Sequence, residues 1–185
     1  MNNGDSSLKP AQLLLEYLDL FTEERLPGPI LDLACGDGHN GIFLATKQLP
    51  VICCDKSGEA LDRARQLGTE QGVHIELWEV DLEREPINPL PAEFYGGIIV
   101  FRYLHRPLMP SIRKSLKGGG ILMYETFTIE QPQFGKPHNP DYLLKPGELS
   151  AWFRDWSTIH FFEGIKDNPK RAVSQIVCRK TAIQY

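Results

Sequence analysis

The sequence predicts an α/β fold. We expect one doubly wound domain with a seven-stranded, mostly parallel sheet, helices on both faces and an antiparallel last strand. Three observations carry this. Short apolar runs alternate with helix-period patterns from residue 30 onward, the signature of parallel strands joined by helical crossovers. The run Gly97–Phe101 is apolar without interruption, as a strand covered on both faces must be. The last two candidate strands are separated by only a short loop, which permits nothing but antiparallel pairing.

The elements follow in order. Residues Met1–Ser7 are polar and read as a frayed end. Pro10 opens a helix on which Leu14, Leu18 and Phe21 share one face, and which runs to about Glu24 before Leu26-Pro27-Gly28-Pro29 stops it. Strand one is Ile30–Ala34, followed by a helix from about Asn40 to Lys47. Pro50 opens strand two, Val51–Cys54. Ser57 is placed to cap a helix with Leu61, Ala64 and Leu67 inward, ending near Gly72. Strand three is about His74–Val80. Glu85–Glu93, with three prolines, reads as a loop, and strand four is Gly97–Phe101.

Pro107 and Pro110 open the next helix, with Leu108, Ile112 and Leu116 inward. Gly118-Gly119-Gly120 ends it, and strand five is Ile121 to about Thr126. A proline-rich segment, Phe127–Pro146, precedes a short helix Glu148–Trp152. Strands six (about Ser157–Glu163) and seven (Ala172–Arg179) flank a loop at Gly164–Lys170. No internal repeat is visible, and 185 residues leave no room for a second domain.

Composition narrows the class. Apolar residues make up 42% and charged residues 24%, as in ordinary globular domains, and the net charge of −4 argues against a dedicated nucleic-acid binder. Cys35, Cys53, Cys54 and Cys178 form no C-x-x-C pair, so they read as small buried residues in a reducing, cytoplasmic setting, without a metal. The polar start lacks an apolar signal core, and no run is long enough to cross a membrane.

The stretch Ile30–Gly41, I-L-D-L-A-C-G-D-G-H-N-G, carries the functional signal. A strand, a glycine turn and a helix start leave free N–H groups and room for close approach of a ligand. Gly36, Gly38 and Gly41 also satisfy G-x-G-x-x-G, with Asp55 where a ribose-binding acid belongs, so a nicotinamide dinucleotide is one reading. Asp32 opposes it: a carboxylate on the first strand repels a pyrophosphate and suits a cationic group. A dehydrogenase also usually adds a substrate domain, and a dinucleotide fold needs no closing antiparallel hairpin.

D-L-A-C-G-D-G at Asp32–Gly38, Asp55 after strand two, Asp81 after strand three and K-G-G-G-I-L at Lys117–Leu122 together resemble a class I S-adenosylmethionine-dependent methyltransferase. The resemblance is to the small bacterial tellurite-resistance-type group, with its Rossmann-like domain, and covers about Leu26–Arg179. Ala34 departs from it, standing where many members have glycine.

The resemblance implies site roles. Ala34, Cys35, Gly36 and Gly38 form the turn under the methionyl portion, and Asp32 lies near its ammonium. Asp55 takes the ribose hydroxyls. Asp81 accepts from the adenine amino group, with the Leu82 N–H at the ring. Phe101 and Arg102 offer a backbone carbonyl to the ammonium. Lys56 stands where an apolar residue usually covers adenine, and its stem can do the same.

The acceptor side is open. Tyr103, His105, Arg106, Tyr124, Glu125, His138 and Tyr142 are the available groups. His105, Tyr124, Glu125 and Tyr142 are the candidates for chemistry, with Tyr124 and Glu125 expected to face the acceptor from the end of strand five. No N-P-P-Y-type element follows strand four, which speaks against amide or base methylation. A small-molecule acceptor is expected, with a non-catalytic cofactor-binding subunit as the alternative; the oligomeric state is open. Phe127–Pro146 is long for a connection, and its apolar anchors suit either a lid over the acceptor, with Phe134, His138 and Tyr142 contributing, or a fixed strap. Lys166, Lys170, Arg171, Arg179 and Lys180 read as a solvated basic face.

Overall fold

A computed structural model describes residues 7–23, 25–84 and 90–182. Within these, the chain runs α1 (Gln12–Glu16), α2 (Asp19–Thr22), β1 (Ile30–Leu33), α3 (His39–Ala45), β2 (Val51–Asp55), α4 (Gly58–Glu70), β3 (Glu76–Glu79) and β4 (Tyr95–Phe101). It continues through α5 (Met109–Ser115), β5 (Leu116–Phe127), α6 (Glu148–Trp152), β6 (Ser157–Lys166) and β7 (Arg171–Arg179). The seven strands lie in the order β3-β2-β1-β4-β5-β7-β6. Only β7 runs against the rest, pairing antiparallel with both β5 and β6.

Side-chain alternation splits the core into two layers. Leu31, Leu33, Ile98, Val100, Leu122 and Ile176 point to one face, where α5 and α6 bring Ile112, Leu149, Phe153 and Trp156. Ile30, Cys53, Ile99, Ile121 and Val177 point to the other, under Leu13, Leu14 and Phe21 of the N-terminal helices and Leu44 of α3. The central strands are buried along both faces, which is why β1 and β4 read as continuous apolar runs. The exception is Asp32 in the middle of β1, with Cys53 and Ile99 beside it in the neighbouring strands.

The structure corrects several boundaries. The N-terminal helix is two short pieces broken at Tyr17–Leu18, and its expected end at Glu24 lies outside the described residues. So do most of the frayed start (residues 1–6) and most of the proline-rich loop (residues 85–89). Strand β5 begins at Leu116, not Ile121, so Leu116 and the three glycines belong to the strand instead of ending the helix. The reason is a register shift: Tyr95 pairs with Leu116 and Gly97 with Ile121, and the glycine run takes up the slack. Gly120 sits against the Gly96 carbonyl, and Gly96 in turn lies where any Cβ would come within 2.5 Å of Gly28 backbone. Strand β6 continues through Gly164, Ile165 and Lys166, because each finds a partner in β7. At the other edge, β3 is shorter than expected and starts at Glu76.

Candidate active site

The glycine turn is built on left-handed backbone. Ala34, Gly36 and Gly38 have φ of 55°, 54° and 76°. Gly38 caps α3, and its N–H closes the turn on the Cys35 carbonyl at 3.0 Å. Around Gly36 a Cβ would meet nothing within 4 Å, so the backbone faces open space, as a cradle for a ligand must. Ala34 is the one residue of the three that pays a steric cost for its φ. That is the physical reason glycine suits this position.

Asp32 sits beneath this turn, 2% exposed. It lies inside β1, the strand on which the sequence places it. Its Oδ2 accepts the Gly41 N–H at 2.7 Å, at the start of α3. Gly41 is required there: a Cβ would come within 2.9 Å of that oxygen and 2.5 Å of Cys53 Sγ. Burial pushes the Asp32 carboxyl up to about 7; the Gly41 N–H opposes the shift and nearby Asp55 adds to it.

Asp55 joins two walls. Its Oδ2 accepts the Gly36 N–H at 2.8 Å and its Oδ1 the Ser57 N–H at 2.9 Å, so one carboxylate ties the glycine turn to the start of α4. Ser57 caps α4 by accepting from Ala60. Asp81 turns the chain after β3, accepting the Glu83 N–H at 3.0 Å. These residues open onto a cavity of about 450 Å³ at the carboxyl edge of the sheet. Ala34, Asp55, Lys56, Asp81, Leu82 and Arg102, all expected at a cofactor site, line it. Cavities of this size and placement hold small ligands in open α/β sheets.

The same cavity takes in Val80, Glu83, Tyr103, Leu104, Phe127, Lys136, Pro137 and Tyr142. Asp32, Cys35, Gly36, Gly38 and Phe101 do not line it. Gly36 connects to it through its N–H on Asp55, whereas Asp32 bonds Gly41 at the start of α3. Phe101 packs into the N-terminal layer of the core, and its neighbour Arg102 bends left-handed at φ 58°, with its N–H on the Glu125 carbonyl.

Two expected acceptor-facing groups are elsewhere. Tyr124 is fully buried, and its hydroxyl donates to the Tyr103 carbonyl at 2.9 Å, so it braces the loop after β4. Glu125 is buried on the opposite face, bonded to Gln175 and 3.9 Å from Arg171. Alternation along β5 sends the two side chains to opposite faces, so neither reaches the cavity. Burial pushes the hydroxyls of Tyr103 and Tyr124 far above their ordinary value, so both stay protonated at neutral pH. His105 precedes a one-turn 3-10 helix, makes no side-chain cap and lies off the cavity. Of the candidates for chemistry, only Tyr142 stands at its rim.

The segment after β5 is tied down at both ends. Thr128 bridges to Leu144, the Ile129 N–H bonds the Leu144 carbonyl, and the Leu144 N–H bonds the Phe127 carbonyl. Arg106 pairs with Glu148 at 2.7 Å and donates to the carbonyls of Asp141 and Leu143. It thereby anchors the returning limb. Gln131 holds the inner limb: 4% exposed, it accepts the Ala172 N–H at 2.9 Å and donates to the Lys136 carbonyl at 3.1 Å. Phe134 lies under the Lys170 ammonium and His138 points outward, so Lys136 and Pro137, not those two, reach the cavity with Tyr142. Gln131 and Lys136 were not singled out from the sequence; a lone amide and a lone lysine in a proline-rich stretch carry no pattern. The basic face near the C-terminus is also partly engaged, with Lys180 on Glu93 and Arg171 near Glu125.

No group of three or more potential metal ligands occurs among the described residues, and none of their helices is long and apolar enough to cross a membrane.

Comparison with known proteins agrees with this geometry. Residues 30–120 match the methyltransferase domain family. The chain is 23% identical over 144 residues to the probable S-adenosyl-L-methionine-dependent methyltransferase TehB of Haemophilus influenzae, covering 75% of this chain and 49% of the relative. It is 21% identical over 169 residues to the tRNA 5-carboxymethoxyuridine methyltransferase of Escherichia coli, covering 77% and 65%. It therefore spans about half to two thirds of the length of these relatives. The crystal structure of TehB from H. influenzae superposes with a TM-score of 0.69 at 18% identity, over 84% of this chain and 58% of that one. The matched region runs from the first residue of β1 through the glycine turn, Asp55, Asp81 and the Gly118–Gly120 run, so residues 30–120 match a methyltransferase domain, and the chain is similar over three quarters of its length to a relative named as a probable S-adenosyl-L-methionine-dependent methyltransferase.

Proposed function

We propose that this chain transfers a methyl group from S-adenosylmethionine to a small-molecule acceptor. The observation that carries the reading is the single cavity wall shared by Asp55, Asp81, Leu82 and the strap residues Lys136, Pro137 and Tyr142. One continuous space thus has an acid-lined end and a strap-covered end, as a two-substrate transfer needs.

The residues present fit the cofactor. The open face of Gly36 leaves room for the methionyl portion, and buried Asp32 offers a negative charge toward a cation. Asp55 already spends lone pairs on two N–H groups, which fixes the carboxylate and leaves the remaining pairs for ribose hydroxyls. Asp81 and the Leu82 backbone meet the adenine edge, with the Lys56 stem across from them. Cys35 and the Phe101 carbonyl complete the methionyl end. Bound S-adenosylmethionine would supply an electrophilic methyl group on a positively charged sulfur.

The chain's own work is alignment and exclusion of water. Tyr124, His105 and Glu125 are off the cavity, so of the candidates for chemistry Tyr142 alone meets the acceptor, and the reading otherwise takes an acceptor that arrives as a nucleophile or loses its proton to water. We read residues 127–146 as a lid with fixed ends, residues 1–25 as an N-terminal extension and the whole as one methyltransferase domain. The four free cysteines fit a cytoplasmic setting. The names of relatives include enzymes acting on tRNA as well as ones acting on small molecules; the chain's net negative charge favours the latter.

The test is calorimetric titration with S-adenosylhomocysteine and NAD, followed by transfer of labelled methyl across thiols, amines, organic acids, selenite, tellurite and tRNA. S-adenosylhomocysteine should bind and NAD should not. Tight NAD binding would overturn the reading. Cofactor binding with no transfer to any acceptor class would point to a non-catalytic subunit.

A further inference from the structure

The strap end of the cavity has its own charge pattern, distinct from the cofactor end. Asp55, Asp81 and Glu83 put acids along the walls after β2 and β3, with Lys56 as the one cation among them, whereas Arg102 after β4 and Lys136 of the strap bring two cations with no acid of their own segments beside them in the lining. Neither cation has a carboxylate partner or a side-chain hydrogen bond among the described residues, while Arg63, Arg65, Arg106, Arg113, Arg171 and Lys180 all do.

Arg102 and Lys136 line the cavity as exposed residues, and it is the backbone of each that is fixed. Arg102 occupies left-handed backbone at φ 58°, where glycine would sit without strain. An arginine kept in such a bend at a ligand cavity points to a use for its side chain. Lys136 is carried on the strap, and its carbonyl is fixed by Gln131, a buried amide that also bonds the backbone of β7. The strap therefore presents Lys136 to the cavity from a rigid footing. Tyr103, Phe127 and Tyr142 line the same cavity and bring aromatic rings to it, with Tyr142 48% exposed.

We propose that this end of the cavity is a subsite for an organic carboxylate with a flat apolar body, its carboxylate held by Arg102 and Lys136 and its body laid against Tyr142 and Phe127. The inference rests on the methyltransferase reading and names its acceptor class. A guanidinium fork and an ammonium match one carboxylate. The aromatic side chains offer area that an inorganic oxyanion cannot use. The three nearby acids disfavour a dianionic phosphate more strongly than a monoanion.

The experiment uses the full chain saturated with S-adenosylhomocysteine and measures binding of 4-hydroxybenzoate, 4-hydroxybenzamide and tellurite by calorimetry. The carboxylate should bind at least tenfold tighter than its amide and tighter than tellurite. Lys136→Ala and Arg102→Gly should each weaken the carboxylate by tenfold or more and leave the amide unchanged. Glycine suits the left-handed bend, so the second variant removes the guanidinium without endangering the fold. S-adenosylhomocysteine affinity should stay within threefold in Lys136→Ala, the variant outside the cofactor site; Arg102→Gly keeps the backbone carbonyl assigned to the cofactor and is read at saturating S-adenosylhomocysteine. Equal binding of acid and amide, or equal binding of tellurite, would overturn the subsite. Loss of S-adenosylhomocysteine affinity in Lys136→Ala would overturn it too, by assigning that cation to the cofactor's own carboxylate. If the unsubstituted protein fails to bind S-adenosylhomocysteine at all, the methyltransferase reading falls before the subsite is reached.

Discussion

With the cofactor's ammonium beside it, as proposed above, buried Asp32 couples cofactor binding to proton release. Its carboxyl is raised from 3.8 to about 7, chiefly by burial. At pH 6 most molecules therefore carry it neutral. A cationic ammonium bound beside it favours the anion, so binding must expel the proton. The release should be close to one proton per ligand at pH 6, about half at pH 7 and near zero at pH 8. Affinity should rise about tenfold per pH unit between pH 5 and 6.5 and level off above 7.5. Stability without ligand runs the other way. Between pH 4 and 7 the native state binds the proton that the unfolded chain has lost, so stability falls as pH rises through that window. The fall is on the order of 4 kcal/mol, the gap between 3.8 and about 7 at 1.36 kcal/mol per unit. Asp32→Asn mimics the neutral form and can still accept the Gly41 N–H, so it should abolish both trends. Calorimetry with S-adenosylhomocysteine in buffers of different ionisation enthalpy reads the proton directly. Heats independent of buffer at pH 6, or the same proton release in Asp32→Asn, would show that Asp32 does not face the ammonium.

Three further outcomes are expected. Asp55→Ala should weaken S-adenosylhomocysteine by about 10- to 150-fold, from the loss of about 1.5–3 kcal/mol of hydrogen bonding to a charged acceptor; unchanged affinity in calorimetry would remove Asp55 from the ribose site. Ala34→Gly relieves a left-handed residue and should raise the melting temperature by about 2–4 °C, for roughly 1 kcal/mol; an unchanged or lower midpoint would mean that the bend carries no strain. Replacing Gln133 to Asn139 with a Gly-Ser linker spares Leu143, Leu144 and the Arg106 anchor but removes the Lys136 carbonyl that Gln131 bonds. Methyl transfer should fall by about 100-fold while S-adenosylhomocysteine affinity holds and the melting temperature drops by only a few degrees, for the roughly 1–3 kcal/mol of one lost buried hydrogen bond. A joint collapse of affinity and melting would make the segment a structural strap alone.

The parts of the site that follow from local backbone rules were legible from the residues. A strand, a turn needing left-handed residues and a helix start leave little choice of sequence, and Asp32–Gly41 shows that pattern. Asp55 and Asp81 were legible for the same reason, each standing where a strand hands over to a turn. What escaped were properties of pairing. Leu116 has the spacing of a helix residue, and only its partner Tyr95 makes it a strand residue. Gly164–Lys166 reads as loop, yet Val173, Ala172 and Arg171 supply partners that the sequence does not display as such. Tyr124 and Glu125 were placed at the right strand end, but their faces depend on which layer each side of β5 meets.

The strap shows the same limit most clearly, and also how it is overcome. Its prolines and aromatic residues foretell an ordered connection without saying which residues turn inward. That choice is made by Gln131, whose amide spans from the Ala172 N–H of β7 to the Lys136 carbonyl. A buried amide with both ends bonded to backbone is costly to misplace, since each lost bond leaves a buried group unpaired, at about 1–3 kcal/mol apiece. Gln131 thus forces one geometry on the limb that follows. It turns Lys136 and Pro137 toward the cavity, and Phe134 ends under Lys170 instead. The inner limb of the strap thus takes its footing from a long-range contact, 41 positions apart in the chain, which local pattern cannot encode.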